Sequence, residues 1–268
     1  MQRDSLANTF TVAIVLCIIC SLVVSASAVG LRSIQDANKA VDQRRNIIAA
    51  AGLSPGKKPT AAEIDTLFKR IEKKIVDLET GDYVEGDLDP NTYDPRKAAK
   101  EPSTSIEIKS SFDPGVPRRE KYSVIFVIHP EEGSKDIEQY IFPVYGKGLW
   151  STLYGFVALK SDLNTVEGLT FYEHAETPGL GGEVDATWWK DQWKGKKIYN
   201  DAGVGSTAGV RVSVAKGKPL AENLPYEVDG LSGATITSRG VGTLLKYWFS
   251  DDGFGKYVKK QLSKKGAS

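Results

Sequence analysis

At 268 residues, with 35 basic and 34 acidic side chains and a net charge of +1, the chain is long enough for one or two domains. The near-balance of charge, with no basic stripe, removes the electrostatic case for nucleic acid as a partner. Hydrophobic residues at 41% and charged residues at 26% are ordinary for a globular chain, so a packed core is expected.

The N-terminal segment departs from that average. No charged residue lies between Asp4 and Arg32, and Val12 to Val24 is almost wholly apolar. Such a run is long enough for a helix to cross a hydrocarbon core of about 30 Å. Residues 10–31 are therefore expected to form a retained transmembrane helix, with residues 1–9 as a cytoplasmic N-terminus. A cleaved signal peptide is the rival reading, since Ala26-Ser27-Ala28 has the A-x-A form, but Arg3 beside Asp4 is a weak positive region for that role. Counted naively, Arg32, Lys39, Arg44 and Arg45 would hold the following domain in the cytoplasm, although long domains cross regardless of such counts. Both cysteines, Cys17 and Cys20, lie inside the apolar run and read as small packing residues, not as a redox pair.

Ile34, Val41 and Ile48 recur one heptad apart, which predicts a juxtamembrane helix over Arg32–Ala51 ended by Gly52 and Pro55. Thr60-Ala61-Ala62-Glu63 has the form of a capping box. Ile64, Leu67, Phe68, Ile71, Ile75 and Leu78 then predict one continuous helical face. The stretch Thr80–Pro102 is rich in Asp, Pro, Gly and Tyr and is expected to be loop, with Asp82, Glu85, Asp87 and Asp89 lacking the ligand order of a calcium loop.

Strands are expected at Ser105–Lys109, Lys121–His129, Gln139–Tyr145, Thr152–Leu159, Gly168–His174 and Gly209–Ala215. They are not interleaved regularly with helices, so the predicted class is α+β, with largely antiparallel sheet, flanking helices and a single N-terminal transmembrane helix. The expected organisation is a juxtamembrane region over 32–102 and a ligand-binding domain over 103–268. With His129 and His174 the only histidines, an imidazole-based metal centre is not expected. No Gly-x-Gly-x-x-Gly follows a strand, so NAD binding on this chain is not expected either.

Near the C-terminus, Asp229-Gly230-Leu231-Ser232-Gly233-Ala234-Thr235-Ile236-Thr237-Ser238 concentrates hydroxyls ahead of an amphipathic pattern at Val241, Leu244, Leu245, Trp248 and Phe249. The free N–H groups and positive dipole end of such a helix suit a phosphate. One reading is that Ser232, Thr235, Thr237 or Ser238 merely caps the helix. A hydrolase elbow lacks its closing glycine here, and a P-loop lacks its Gly-Lys-Ser/Thr. The string Asp-x-x-Ser-Gly-Ala-Thr resembles the signature of proteins that carry FMN on a threonine through a phosphoester, and the match is complete.

Two further stretches resemble the FMN-binding domain of ion-pumping respiratory complexes: Pro143-Val144-Tyr145-Gly146-Lys147-Gly148-Leu149-Trp150-Ser151, between two strands, and His174-Ala175-Glu176-Thr177-Pro178-Gly179-Leu180-Gly181-Gly182. The region from Ser33 to Leu53 resembles one specific to the C-type subunit family of sodium-translocating NADH:quinone oxidoreductases. The paralogous subunit of the ferredoxin:NAD pump has a shorter N-terminal region and is the alternative; a membrane-tethered module without redox function is a second.

The resemblance implies covalent FMN on Thr235, with Ser232, Gly233 and Ala234 around the phosphoester. It implies Glu176, Thr177, Leu180, Gly181 and Trp150 along the flavin, and Asp229 as a recognition group for the flavin transferase that attaches it. It implies no catalytic residue on this chain and no metal ligand. It further implies a single-pass subunit of the bacterial inner membrane with its domain on the periplasmic side. Its partners would be the other subunits of the complex, including a second flavinylated membrane subunit. His174 and the cluster Trp188, Trp189 and Trp193 are read as structural first.

Overall fold

The computed structural model describes residues 6–54, 59–86, 88–201 and 203–266. Chain order runs α1 (Leu6–Ala50), α2 (Ala61–Phe68), β1 (Ile71–Asp77), α3 (Pro95–Ala98), β2 (Ser105–Glu107), β3 (Arg118–Glu120), β4 (Tyr122–Ile128), β5 (Gln139–Lys147), β6 (Thr152–Lys160) and β7 (Val166–Glu173). Then follow α4 (Thr187–Lys190), β8 (Ser213–Val214), β9 (Glu227–Val228), α5 (Thr235–Trp248) and α6 (Gly255–Gly266), with short 3-10 turns between them. The class is α+β with a mainly antiparallel sheet, as the sequence indicates; the two-residue pair β8–β9 is parallel.

The expected span and juxtamembrane helix are one continuous helix of 45 residues. Its portion Leu6–Gln35 is long and apolar enough to cross a membrane. Cys17 and Cys20 sit exposed on it as free thiols. The helix ends where Gly52 N–H donates to Ala49 O and Leu53 N–H to Ile48 O, each at 3.1 Å. Pro55, expected to help end it, lies outside the described residues.

Contacts divide the chain into Met1–Gln43 and Arg44–Ser268. Within the second unit, the Thr60 capping box is formed, Thr60 N–H donating to Glu63 Oε2 at 2.7 Å and Glu63 N–H to Thr60 Oγ1 at 3.3 Å. The helix it opens is shorter than predicted. It stops at Phe68, and Ile71–Asp77 is a strand, paired antiparallel with β4 from Ile71↔Ile128 to Asp77↔Tyr122. The i, i+4 spacing of Ile71 and Ile75 satisfies a strand's period of two as well as a helix's 3.6, and a partner edge on β4 decides for the strand. Residues 71–77 therefore belong to the main sheet, not to a juxtamembrane region apart from 103–268. The loop expected over 80–102 carries the one-turn helix α3, capped by Asp94 Oδ1 on the N–H groups of Arg96 and Lys97. In the same loop Asp82 is held by Lys260 Nζ at 2.6 Å; Asp87 lies outside the described residues.

Sheet order is β1-β4-β5-β6-β7. Both faces are covered, which explains the unbroken apolar run Val124–Ile128. Ile125 and Val127 enter the larger cluster with α5 and α6, whereas Val124, Phe126 and Ile128 enter a second with Ile47, Ala50 and Ala51. The stripe Val241, Leu244, Leu245, Trp248 and Phe249 is fully buried, as its spacing predicts. Trp248 Nε1 donates to Tyr145 O at 2.7 Å and fastens α5 to β5. The expected strand at Gly209–Ala215 shrinks to Ser213–Val214, preceded by a 3-10 turn at Thr207–Gly209.

Candidate functional site

Helix α5 begins at Thr235 with no side-chain cap. Ser238 N–H is the first to find a partner, Ala234 O at 2.9 Å; the N–H groups of Thr235, Ile236 and Thr237 make no hydrogen bond among the described residues. A hydroxyl-rich segment therefore leaves the helix uncapped, and the capping reading of these residues is overturned. Other partners claim two of the hydroxyls. Thr237 Oγ1, on a residue 1% exposed, donates to Glu176 Oε2 at 2.6 Å, and Ser238 Oγ accepts from Leu231 N–H at 3.0 Å. Ser232 and Thr235 remain exposed. Before them, Ala234 N–H donates to Leu231 O at 3.1 Å across a tight turn in which Gly233 has φ +70°, a conformation that suits glycine.

Glu176 is buried, and its carboxylate faces protein, not an open cavity. Oε2 accepts from Leu149 N–H at 3.1 Å; Oε1 accepts from Trp150 N–H at 3.0 Å and Ser151 N–H at 3.2 Å. Burial would raise its pKa, but the Thr237 hydroxyl and these three amides prevail and hold it below the ordinary carboxylate value. Glu176, expected along a bound flavin, ties the β5–β6 turn to α5 through its carboxylate. Gly181 is required beside it, because a Cβ there would stand 2.6 Å from Thr237 Oγ1 and 2.9 Å from Glu176 Oε2. Pro143–Lys147, expected between strands, lies inside β5, so only 148–151 forms the turn.

That turn presents Trp150, 66% exposed, and Leu149; Leu180 and Ile236 are exposed as well. Leu180 Cδ2 reaches within 2.9 Å of where a Cβ on Gly233 would stand, so it flanks the Ser232–Thr235 turn. Leu149 and Ile236 carry no polar signal that a sequence reading could have used. Thr177 is exposed at a turn where its carbonyl accepts from Leu180 N–H at 3.1 Å and Gly182 N–H at 2.9 Å. A cavity of about 400 Å³ opens on the other flank of α5, lined by Thr235, Ser238, Arg239, Lys246 and Lys216 among others. Asp229 is half-buried; its N–H donates to Gln192 Oε1 and its carbonyl accepts from Trp189 Nε1, while its carboxylate has no partner among the described residues.

His174 is structural. Its Nδ1 accepts from Glu176 N–H at 3.2 Å and its Nε2 meets Asp185 Oδ2 at 2.8 Å. The Asp185 contact raises its pKa above the ordinary value, against a smaller opposing effect of burial. The stabilisation this pair gives is full below about 6.5 and is lost as pH rises through the raised value. Asp185→Asn should bring the His174 titration midpoint, followed by NMR, down toward about 6.5. Trp189 and Trp193 are buried edge to face at 5.4 Å, and Trp188 is exposed. Among the described residues no group of three or more His, Cys, Asp or Glu side chains is placed to hold a metal ion.

An uncapped helix start with an exposed threonine, apolar side chains on one flank and cationic ones on the other, suits a nucleotide phosphate attached to an apolar ring. The domain is that of a flavoprotein: the FMN-binding domain family matches residues 148–250. The chain belongs to the NqrC family, the C-type subunits of Na+-translocating NADH-quinone reductases. It is 43% identical over 268 residues to that subunit of Haemophilus ducreyi, covering 100% of this chain and 98% of the relative. To that of Pseudomonas aeruginosa it is 43% identical over 262 residues, covering 96% of each. The crystal structure of Shewanella oneidensis NqrC superposes with a TM-score of 0.74 at 32% identity, covering 85% of this chain and 99% of that one.

Proposed function

We propose that this chain carries FMN as a phosphoester on Thr235 Oγ1 and relays single electrons within a sodium-pumping NADH:ubiquinone oxidoreductase of the bacterial inner membrane. The observation that supports it best is the uncapped start of α5. Three unbonded N–H groups converge there beside an exposed threonine hydroxyl, while the hydroxyls of Thr237 and Ser238 are committed to protein. Ser232 is exposed too, but it precedes the helix, and of the exposed hydroxyls in this segment Thr235 alone sits on its first turn.

When bound, FMN supplies one-electron exchange, and the protein supplies position and environment. The N–H groups of Thr235–Thr237 and the positive end of α5 would hold the phosphate charge. Ser232, Gly233 and Ala234 keep the approach to Thr235 short and unhindered. Trp150, Leu149 and Leu180 offer an apolar shelf for the ring system, with Thr177 and Gly181 at its edge. The carboxylate of Asp229 is available to a flavin transferase, which must activate a hydroxyl that is a weak nucleophile by itself.

In this reading the Leu6–Gln35 segment anchors the chain in the bilayer with the domain on the periplasmic side. Its partners are the other subunits of the complex, a second flavinylated membrane subunit among them. A covalent tether suits a carrier in a compartment where lost FMN is not easily replaced. The test is retention: protein matured beside its flavin transferase should still show flavin fluorescence on the denatured chain after electrophoresis. A dark band from such material would overturn the proposal.

A further inference from the structure

Glu176 does more than line a site. Its two carboxylate oxygens collect five donors from two separate parts of the chain: the N–H groups of Leu149, Trp150 and Ser151 and, at 3.5 Å, the Ser151 hydroxyl on the β5–β6 turn, and the hydroxyl of Thr237 on α5. The turn carries the exposed Trp150, and Thr237 lies two residues along the helix from Thr235. Gly148 and Gly181 leave the space the carboxylate occupies: a Cβ on either would come within 2.9 Å of one of its oxygens. A buried carboxylate that accepts from five donors is held in one place, and so are the elements that donate to it.

We propose that Glu176 is a positioning residue, a latch that fixes the Trp150 turn against the start of α5 and so holds a flavin on Thr235 over its apolar shelf. The inference rests on the reading of Thr235 as the attachment point. The Ser151 hydroxyl makes no direct bond to α5: Oγ donates to Glu176 Oε1 at 3.5 Å and accepts from Ala175 N–H at 2.8 Å, both on the segment that carries Glu176 itself. Loss of the carboxylate would leave three amides without an acceptor, so the turn would move to regain water.

The experiment uses full-length chain matured beside its flavin transferase, with the label on Thr235 first verified by peptide mass. Steady-state anisotropy and emission of the covalent flavin are then compared in wild type, Glu176→Ala, Glu176→Gln and Thr237→Val, with thermal unfolding as the control for folding. A tryptophan held against a flavin quenches its emission by electron transfer, so the signal reports the Trp150 turn directly. Glu176→Ala should raise emission several-fold and move anisotropy toward that of free FMN. Glu176→Gln keeps one acceptor oxygen for Trp150 and Ser151 and should restore most of the wild-type signal. Thr237→Val removes a single donor and should give a small shift in the same direction as Glu176→Ala. Labelled Glu176→Ala with wild-type emission and anisotropy would overturn the latch. If that variant does not fold, Thr237→Val decides: a rise in emission supports the latch and an unchanged signal overturns it. Failure of the Thr235 reading shows separately, as a missing or displaced label in the wild-type peptide map.

Discussion

Thr235→Ala should abolish covalent flavin altogether, whereas Thr237→Val and Ser238→Ala should keep it. Intact mass of chain coexpressed with a flavin transferase is the measurement, one added FMN being expected in every case but the first. The asymmetry follows from access. Thr237 and Ser238 are buried and already bonded, and Thr235 stands exposed on the first turn of α5. The fold should survive, because an exposed helical threonine replaced by alanine loses no packing and gains slightly in helix propensity. A Thr235→Ala chain that still gained one FMN would refute the assignment, and peptide mapping would show whether Ser232 had taken it.

The second large effect lies beneath the site. Trp248→Ala should destabilise the domain by about 3–5 kcal/mol, the usual range for removing a large buried aromatic. Trp248 is fully buried, its ring lies 4.8 Å from that of Tyr145 and 5.3 Å from that of Phe254, and its Nε1 supplies the bond to Tyr145 O. The deletion would leave a cavity and an unpaired carbonyl between α5 and β5, the contact that brings α5 to the Trp150 turn. Chemical denaturation of the flavin-free chain would measure it; a loss under about 1 kcal/mol would mean that the neighbouring aromatics close the gap.

Much of the fold is legible in local patterns. The capping box at Thr60, the apolar stripe of α5 and the strands β4 to β7 each carry a strong short-range signal, and each forms where that signal lies. Local patterns mislead where spacing is ambiguous or elements are very short. Ile71, Ile75 and Leu78 fit a helical stripe until β4 offers an edge to pair with. The strands β3 and β9 span three and two residues, too few to show a period. The candidate site divides in the same way. The Asp-x-x-Ser-Gly-Ala-Thr string is contiguous, so the likeness to flavinylated proteins could be read directly. What Glu176 does could not, since its donors lie 25 to 27 and 61 residues away. A carboxylate in a glycine-rich stretch carries no local sign of the distant amides and hydroxyl that bond to it.

Strand β1 closes one margin of the main sheet, and only part of that margin is shielded: Asp77 N–H donates to Asp82 O, and Val84 N–H to Ile75 O. The remainder, nearer Ile71, is guarded by Glu72 and Lys74, which pair with each other at 3.2 Å. Charges placed there make the strand a poor template for a neighbouring copy. If the Leu6–Gln35 helix anchors the domain to a two-dimensional surface, where like molecules meet often, such protection would keep the backbone ladder from growing sideways into aggregates.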